Sequence, residues 1–327
     1  MREVVFLRDN YKRWQKTEAI IRGAEQSTSD EMADFFIQIS DDLAFAQTNY
    51  PDSPTTTYLN QLATQMFRLI HKNKHFRLNR FLDFWQRELP LVFYRERKTM
   101  LIAFLVFSVF TLIGVISVHF DIDFAKVVLG PGYVEMTEEN IAMGDPVAVY
   151  TNGKNGEYWY DESVYSFVRI ALNNIRVSLL AYLGGVCFGL GTLYLLFHNG
   201  VMLGAFQWFF YKKGVLLPAF LTIWIHGTIE ISCIIIAGMA GLVLGSGFLY
   251  PGTYSRKVSF IKRGQDSLKI MLGIIPLIIL AALFEGFVSG ETQWPWFVKA
   301  AIILGSLFFV VYFFVLRPRQ LGKRYGL

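Results

Sequence analysis

Two ionisable residues sit inside a long apolar run. The stretch "LLPAFLTIWIHGTIEISCIIIAGMAGLVLG", residues 216–245, reads as a membrane helix, yet it contains His226 and Glu230. A charge is expensive in hydrocarbon, so such residues mark a function or a buried partner. The two are four apart, which places them on one helical face. A second polar group enters apolar sequence at "ALNNIRVSLL", giving Asn173, Asn174 and Arg176. Glu285, late in a third apolar run, can join them.

Three chemistries compete for this set. Arg176 and Glu230 can neutralise each other, with His226 and Asn174 completing the hydrogen bonds. A guanidinium cannot deprotonate in a protein and so demands a carboxylate. The same groups can instead relay protons or bind a transported solute. One His and one Glu supply only two of the four ligands that zinc takes. No metal, no cofactor and no catalytic residue is therefore expected. No Walker loop, HExxH or GxSxG is present either.

The elements that must position these residues follow from composition. The chain has 327 residues, 53% hydrophobic, and a mean hydropathy of +0.37, too apolar for an ordinary soluble domain. The reading is all-α: a helical-bundle domain over 1–98, then a polytopic membrane domain over 99–327. The first long apolar run begins near Met100, after a charged domain, so no cleavable leader is expected. Cys187 and Cys233 both fall in apolar segments and suggest neither a disulfide framework nor a zinc site.

About six crossings are expected, at 100–119, 168–197, 199–213, 226–248, 268–288 and 297–316. Residues 215–225 form a re-entrant or interfacial piece at the outer side, or else all of 200–225 is a re-entrant hairpin. The outer loop 120–165 holds nine acidic residues and two lysines, as an outer segment should. With "LGPGY" and "YTNGKNGEYWYDES" rich in turn residues, an ordered loop with a short hairpin is expected there. Basic "RERK", "SRKVSFIKR" and "RPRQLGKR" lie inside, which makes both termini cytoplasmic. Asn199 and Gly200 mark an inner-end turn. The arrangement leaves Lys212 and Lys213 facing outward, against the usual bias.

Glycine concentrates in the central crossings, with Gly184, Gly185 and Gly189 in one and Gly238, Gly241 and Gly245 in another. Small residues let membrane helices approach closely. Tight packing explains them, and a channel lining is the alternative.

The N-terminal domain shows apolar faces at helical spacing, for example Met32, Phe35, Phe36, Ile39 and Leu43. Ser29 or Asp30 can cap that helix, and Pro51 and Pro54 break the chain after it. Three or four such helices suggest a bundle. Fifteen Lys plus Arg face 13 Asp plus Glu in 1–98, too even a balance for a nucleic-acid partner. Basic "HKNKHFRLNR" is a solvated face or meets anionic headgroups.

Three stretches together resemble the stage II sporulation protein M family: "ISDDLAFAQTNYPDSPTTTYLNQLATQMFRLI", "NNIRVSLLAYLGG" with "HNGVMLG", and "HGTIEISCIIIAGMAGLVLG". The matching positions are Asn173, Asn174, Arg176, Asn199, Gly200, His226, Gly227 and Glu230. Ile225 stands where many members have proline, and the long N-terminal domain marks the larger branch. The resemblance implies a non-catalytic, multi-pass scaffold of an envelope-associated complex in the cell (inner) membrane. Its partners would be the lipid bilayer and other membrane or envelope proteins, a MoxR-type AAA ATPase system or further copies of itself among them. The competing expectation is a transporter or channel subunit that uses the buried Arg/Glu/His/Asn cluster.

Overall fold

The computed structural model describes residues 2–25, 27–72, 78–148, 159–289 and 294–326, and every regular element among them is a helix. Contacts divide the chain into two compact units, Met1–Leu82 and Asp83–Leu327. The boundary thus falls before residue 98, because α5 (Leu89–Arg95) buries Leu89, Val92 and Phe93 among the apolar helices of the second unit.

The first unit packs α1 (Glu3–Ile21), α2 (Ser29–Asn49) and α3 (Pro54–Lys72) around Phe6, Trp14, Ile39, Ala46, Leu59 and Leu62. Within it, Asp42 accepts a hydrogen bond from Trp14 Nε1 at 2.8 Å and pairs with Arg13 at 2.5 Å. The cap of α2 is Thr28, one residue before the expected Ser29. Thr28 Oγ1 accepts from the Glu31 N–H at 3.3 Å, and Glu31 returns a carboxylate to the Thr28 N–H at 2.8 Å. This reciprocal box satisfies two otherwise orphaned donors. Residues 73–77 of the basic stretch lie outside the described residues.

In the second unit, α4 (Leu78–Asp83) at the boundary leads through a π-turn at Phe84–Glu88 into α5. There follow α6 (Arg97–Phe120), α7 (Phe124–Leu129), α8 (Pro131–Ala142), α9 (Trp159–Leu183), α10 (Leu190–Lys212), α11 (Leu216–Leu249) and α12 (Arg256–Leu283). A π-turn, Phe284–Val288, extends α12; α13 (Trp296–Val311) and α14 (Arg317–Arg324) close the described chain. Among the described residues, four helical stretches are long and apolar enough to cross a membrane: Arg97–Phe120, Leu216–Leu249, Arg256–Val288 and Trp296–Arg324.

The centre of this unit is α11. Its 34 residues make a rod of about 51 Å, and it packs against α6, α9, α10, α12 and α13. Side-chain pairings give the directions. Gly185, in the turn that ends α9, meets Gly241 of α11, and Asn174 lies level with Glu230, so these two helices run parallel. His226 of α11 meets Ser289, while Gly247 meets Phe260, so α12 runs antiparallel to it. The ring pairs Phe110–Phe197 and His119–Trp208 make α6 and α10 parallel.

Three expectations need correction. The apolar run 168–197 is not one helix: α9 ends at Leu183, a tight turn covers Gly184–Val186, and Phe188 (φ 54°) and Gly189 (φ 83°) reverse the chain into α10. Asn199 and Gly200 are therefore not at a turn but buried in the middle of α10. Residues 216–225 are not a separate re-entrant piece but the first turns of α11. Pro218 fits there because the first turn has no helical partner for its missing N–H. The loop after α6 contains helices α7 and α8, and the turn-rich residues 150–158, where a hairpin could fall, lie outside the described residues. Lys213, awkward in the sequence reading, has a specific partner: its Nζ lies 2.5 Å from Glu138 Oε1 on α8.

A candidate polar chamber in the helical bundle

His226 and Glu230 lie about 15 and 21 Å along α11 from its first residue, at 1.5 Å per residue. His226 is buried, with 4% of its surface exposed. Its Nδ1 lies 2.7 Å from Ser289 Oγ, and its Nε2 lies 3.8 Å from Glu285 Oε2. Both partners come from the end of α12, where the π-turn closes with Ser289 N–H donating to Phe284 C=O at 2.7 Å. Such turns insert an extra residue and recur at functional sites. Here the turn brings Glu285 and Ser289 to opposite nitrogens of one imidazole. Glu230 completes the group: the ligand atoms of His226, Glu230 and Glu285 all lie within 4.8 Å of one another.

These three residues line a cavity of about 800 Å³ whose walls come from α7 to α12. From α9 come Arg169, Asn173, Asn174 and Ser178; α10 adds His198, Asn199 and Gln207; α11 adds Trp224. Asn174 faces the Glu230 carboxylate. Two donors in the wall, Gln207 Nε2 and Trp224 Nε1, are buried without a hydrogen-bond partner among the described residues. An unmet buried donor costs about 1–3 kcal/mol, so the wall is built for a ligand or water that accepts from it.

Of the polar residues singled out in the sequence, Asn173, Asn174, His226, Glu230 and Glu285 share this wall. Arg176 does not. It is exposed, and no ion pair joins it to Glu230 among the described residues. The reason is angular: Asn174 and Arg176 are two residues apart, about 200° around a helix, so only one of them can face α11. Asn199 belongs to the wall, with its Nδ2 donating to Leu195 C=O at 2.8 Å. Gly200 instead packs on Phe107 and Phe110 of α6.

Arg169, Gln207, Trp224 and Ser289 were missed. Spacing could have found two of them, since Arg169 precedes Asn173 by four and Ser289 follows Glu285 by four. Nothing in the sequence ties Gln207 or Trp224 to the same space.

The glycines lie at the other end of the same helices. A Cβ on Gly185 would collide with the Gly241 backbone, and one on Gly241 with Ala181 C=O and Thr192 Oγ1. Gly245 packs on the backbone of Gly185, Phe188 and Gly189, Gly184 on Gly191, and Gly238 on the Leu196 side chain. Thr192 Oγ1 donates to Ala181 C=O at 2.7 Å and ties the hairpin together.

Two family models match the chain. Residues 4–72, within the first unit, match a domain of unknown function (DUF8413). No curated protein and no solved structure matches. The second model, "Stage II sporulation protein M", matches residues 103–290, which include α9 to α12 and every residue of the His–Glu–Glu group. Since that match spans more than half of the chain, the protein belongs to the stage II sporulation protein M family.

Proposed function

We propose that the second unit is a solute- or ion-binding subunit of the cell (inner) membrane, in which the chamber holds a polar ligand between α9 and α12. The observation that carries this reading is the wall itself: two buried donors without a partner among the described residues, and two carboxylates, around one cavity of about 800 Å³. A bundle that only packed would fill such a space with apolar side chains, because unmet polar groups in hydrocarbon are costly. The reading is non-catalytic. It takes α6, α9, α10, α11, α12 and α13 as six passes, with both termini cytoplasmic. Basic residues at 256–263 and 317–324 then lie inside, and the Lys213–Glu138 pair lies outside.

The test uses the full chain in nanodiscs, with Cys187→Ser and Cys233→Ser as background. Asn173→Cys should react with a methanethiosulfonate reagent far faster than Ala240→Cys, which is buried in the glycine-rich seam. Equal, slow labelling at both positions would sink the chamber reading.

A scaffold role is the second reading. What favours it is that the helical unit Met1–Leu82 is compact by itself and has its own family match. That unit would dock partners: other envelope proteins, a MoxR-type AAA ATPase system or a second copy. Both readings share one topology. Labelling of Gln320→Cys by an impermeant reagent in intact cells would refute it.

A further inference from the structure

We propose that His226, Glu230 and Glu285 form a site for a divalent first-row transition-metal ion, of the Mn²⁺ to Zn²⁺ kind, in the wall of the chamber. The proposal rests on the chamber reading above and goes beyond it by naming the ligand class. The donor set is one imidazole nitrogen and two carboxylates, with all three ligand atoms within 4.8 Å. Bonds of about 2.0–2.2 Å leave two ligands of one ion at most about 4.4 Å apart. An ion therefore needs to draw this set together only slightly.

The chemistry of the donors selects the ion. Imidazole with carboxylate suits Mn²⁺, Fe²⁺, Co²⁺ or Zn²⁺. Ca²⁺ and Mg²⁺ take all-oxygen sites, and Cu⁺ prefers sulfur. Two carboxylates this close repel unless a cation or a shared proton lies between them. Among the described residues Glu230 has no ion pair with Lys or Arg.

Two further observations, independent of the carboxylates, point to a ligand. His226 is held as metal-ligating histidines are. Ser289 Oγ lies 2.7 Å from Nδ1, which leaves Nε2 facing Glu285 and orients the ring from its outer side. In the same wall, Gln207 Nε2 and Trp224 Nε1 are buried without a hydrogen-bond partner among the described residues. A metal-bound water or anion would supply an acceptor there, and the chamber would supply both the route in and the remaining coordination positions.

Tag-free full-length protein in detergent, stripped with EDTA and dialysed, is titrated with CoCl₂ and with ZnCl₂. Binding is read by calorimetry, elemental analysis and the visible Co²⁺ spectrum. One ion per chain is expected. Glu230→Gln and Glu285→Gln should each weaken binding by more than about tenfold, and Ser289→Ala by about tenfold with an altered Co²⁺ spectrum. Size-exclusion profiles and Asn173→Cys labelling show whether each variant is folded. Metal bound equally well by wild type and folded Glu230→Gln would place the ion elsewhere and overturn the proposal. No metal bound, with Asn173→Cys still labelled, would overturn it as well. The carboxylates would then share a proton or hold an organic solute, and the chamber reading would stand. Unlabelled Asn173→Cys would instead remove the chamber reading itself.

Discussion

The same helices do opposite things at their two ends. Where Gly185 lies against Gly241, and Gly189 against Gly245, the backbones of α9, its turn and α11 touch. About eleven residues back along each helix, Asn174 and Glu230 meet in the wall of a cavity. One end has no room for a methyl group; the other has room for a ligand. In a membrane, apolar surface gains little by leaving lipid, so association rests on close packing and interhelical hydrogen bonds. The glycine seam concentrates that packing at one end and leaves the other free to hold polar groups. The difference teaches that stability and chemistry are spatially separated in this bundle.

The comparison breaks most sharply at the seam. Gly241→Leu drives a side chain into Ala181 C=O and Thr192 Oγ1. Main chain cannot rotate away as a side chain can, so the cost is at the upper end for overpacking, about 3 kcal/mol or more. The expected outcome is loss of monodisperse protein after detergent extraction. A folded Gly241→Leu protein with an unchanged unfolding temperature would show that the seam does not hold the bundle.

At the chamber the expectation reverses. Glu230→Gln removes a charge from a desolvated wall and keeps the shape. In EDTA its unfolding temperature should equal or exceed that of the parent, within about 1 kcal/mol. Arg176→Gln should not destabilise, since in the six-pass reading it removes a charge from the outer side of α9. The double variant should be additive within about 0.5 kcal/mol. Coupling beyond that would restore the Arg176–Glu230 pair that the sequence suggested and would join the two ends energetically.

Much of this contrast was legible in the sequence, but unevenly. The apolar runs at 100–119, 268–288 and 297–316 correspond to α6, α12 and α13 because length and hydropathy suffice to mark a buried or lipid-facing helix. The spacing of His226 and Glu230 placed them on one face, and Glu285 proved to be their neighbour. The reversal at 184–189 was invisible, since "YLGGVCFGLG" carries no polar break; Gly189 and Phe188 turn the chain by backbone conformation alone. Depth along α9 was readable for Asn174 and Arg176, but their pairing depended on azimuth, and a two-residue separation already forbids a common face. The cavity's width was not readable, because it depends on how three helices diverge from a seam elsewhere.

The smallest effect should come from the pair at the chamber end of α10. Lys213 Nζ and Glu138 Oε1 are 2.5 Å apart, with side chains 30% and 41% exposed. The pair links α8, whose Tyr133 lines the chamber, to the end of α10. Partly exposed ion pairs contribute about 0.2–1 kcal/mol, and salt screens them. Glu138→Gln should therefore lower the unfolding temperature slightly at low salt and not at all near 1 M NaCl. Its informative effect is on access: loosening α8 should speed methanethiosulfonate labelling of Asn173→Cys while leaving Ala240→Cys unreactive. If both positions became reactive together, the two ends would open as one, and the separation between packed seam and polar chamber would fail.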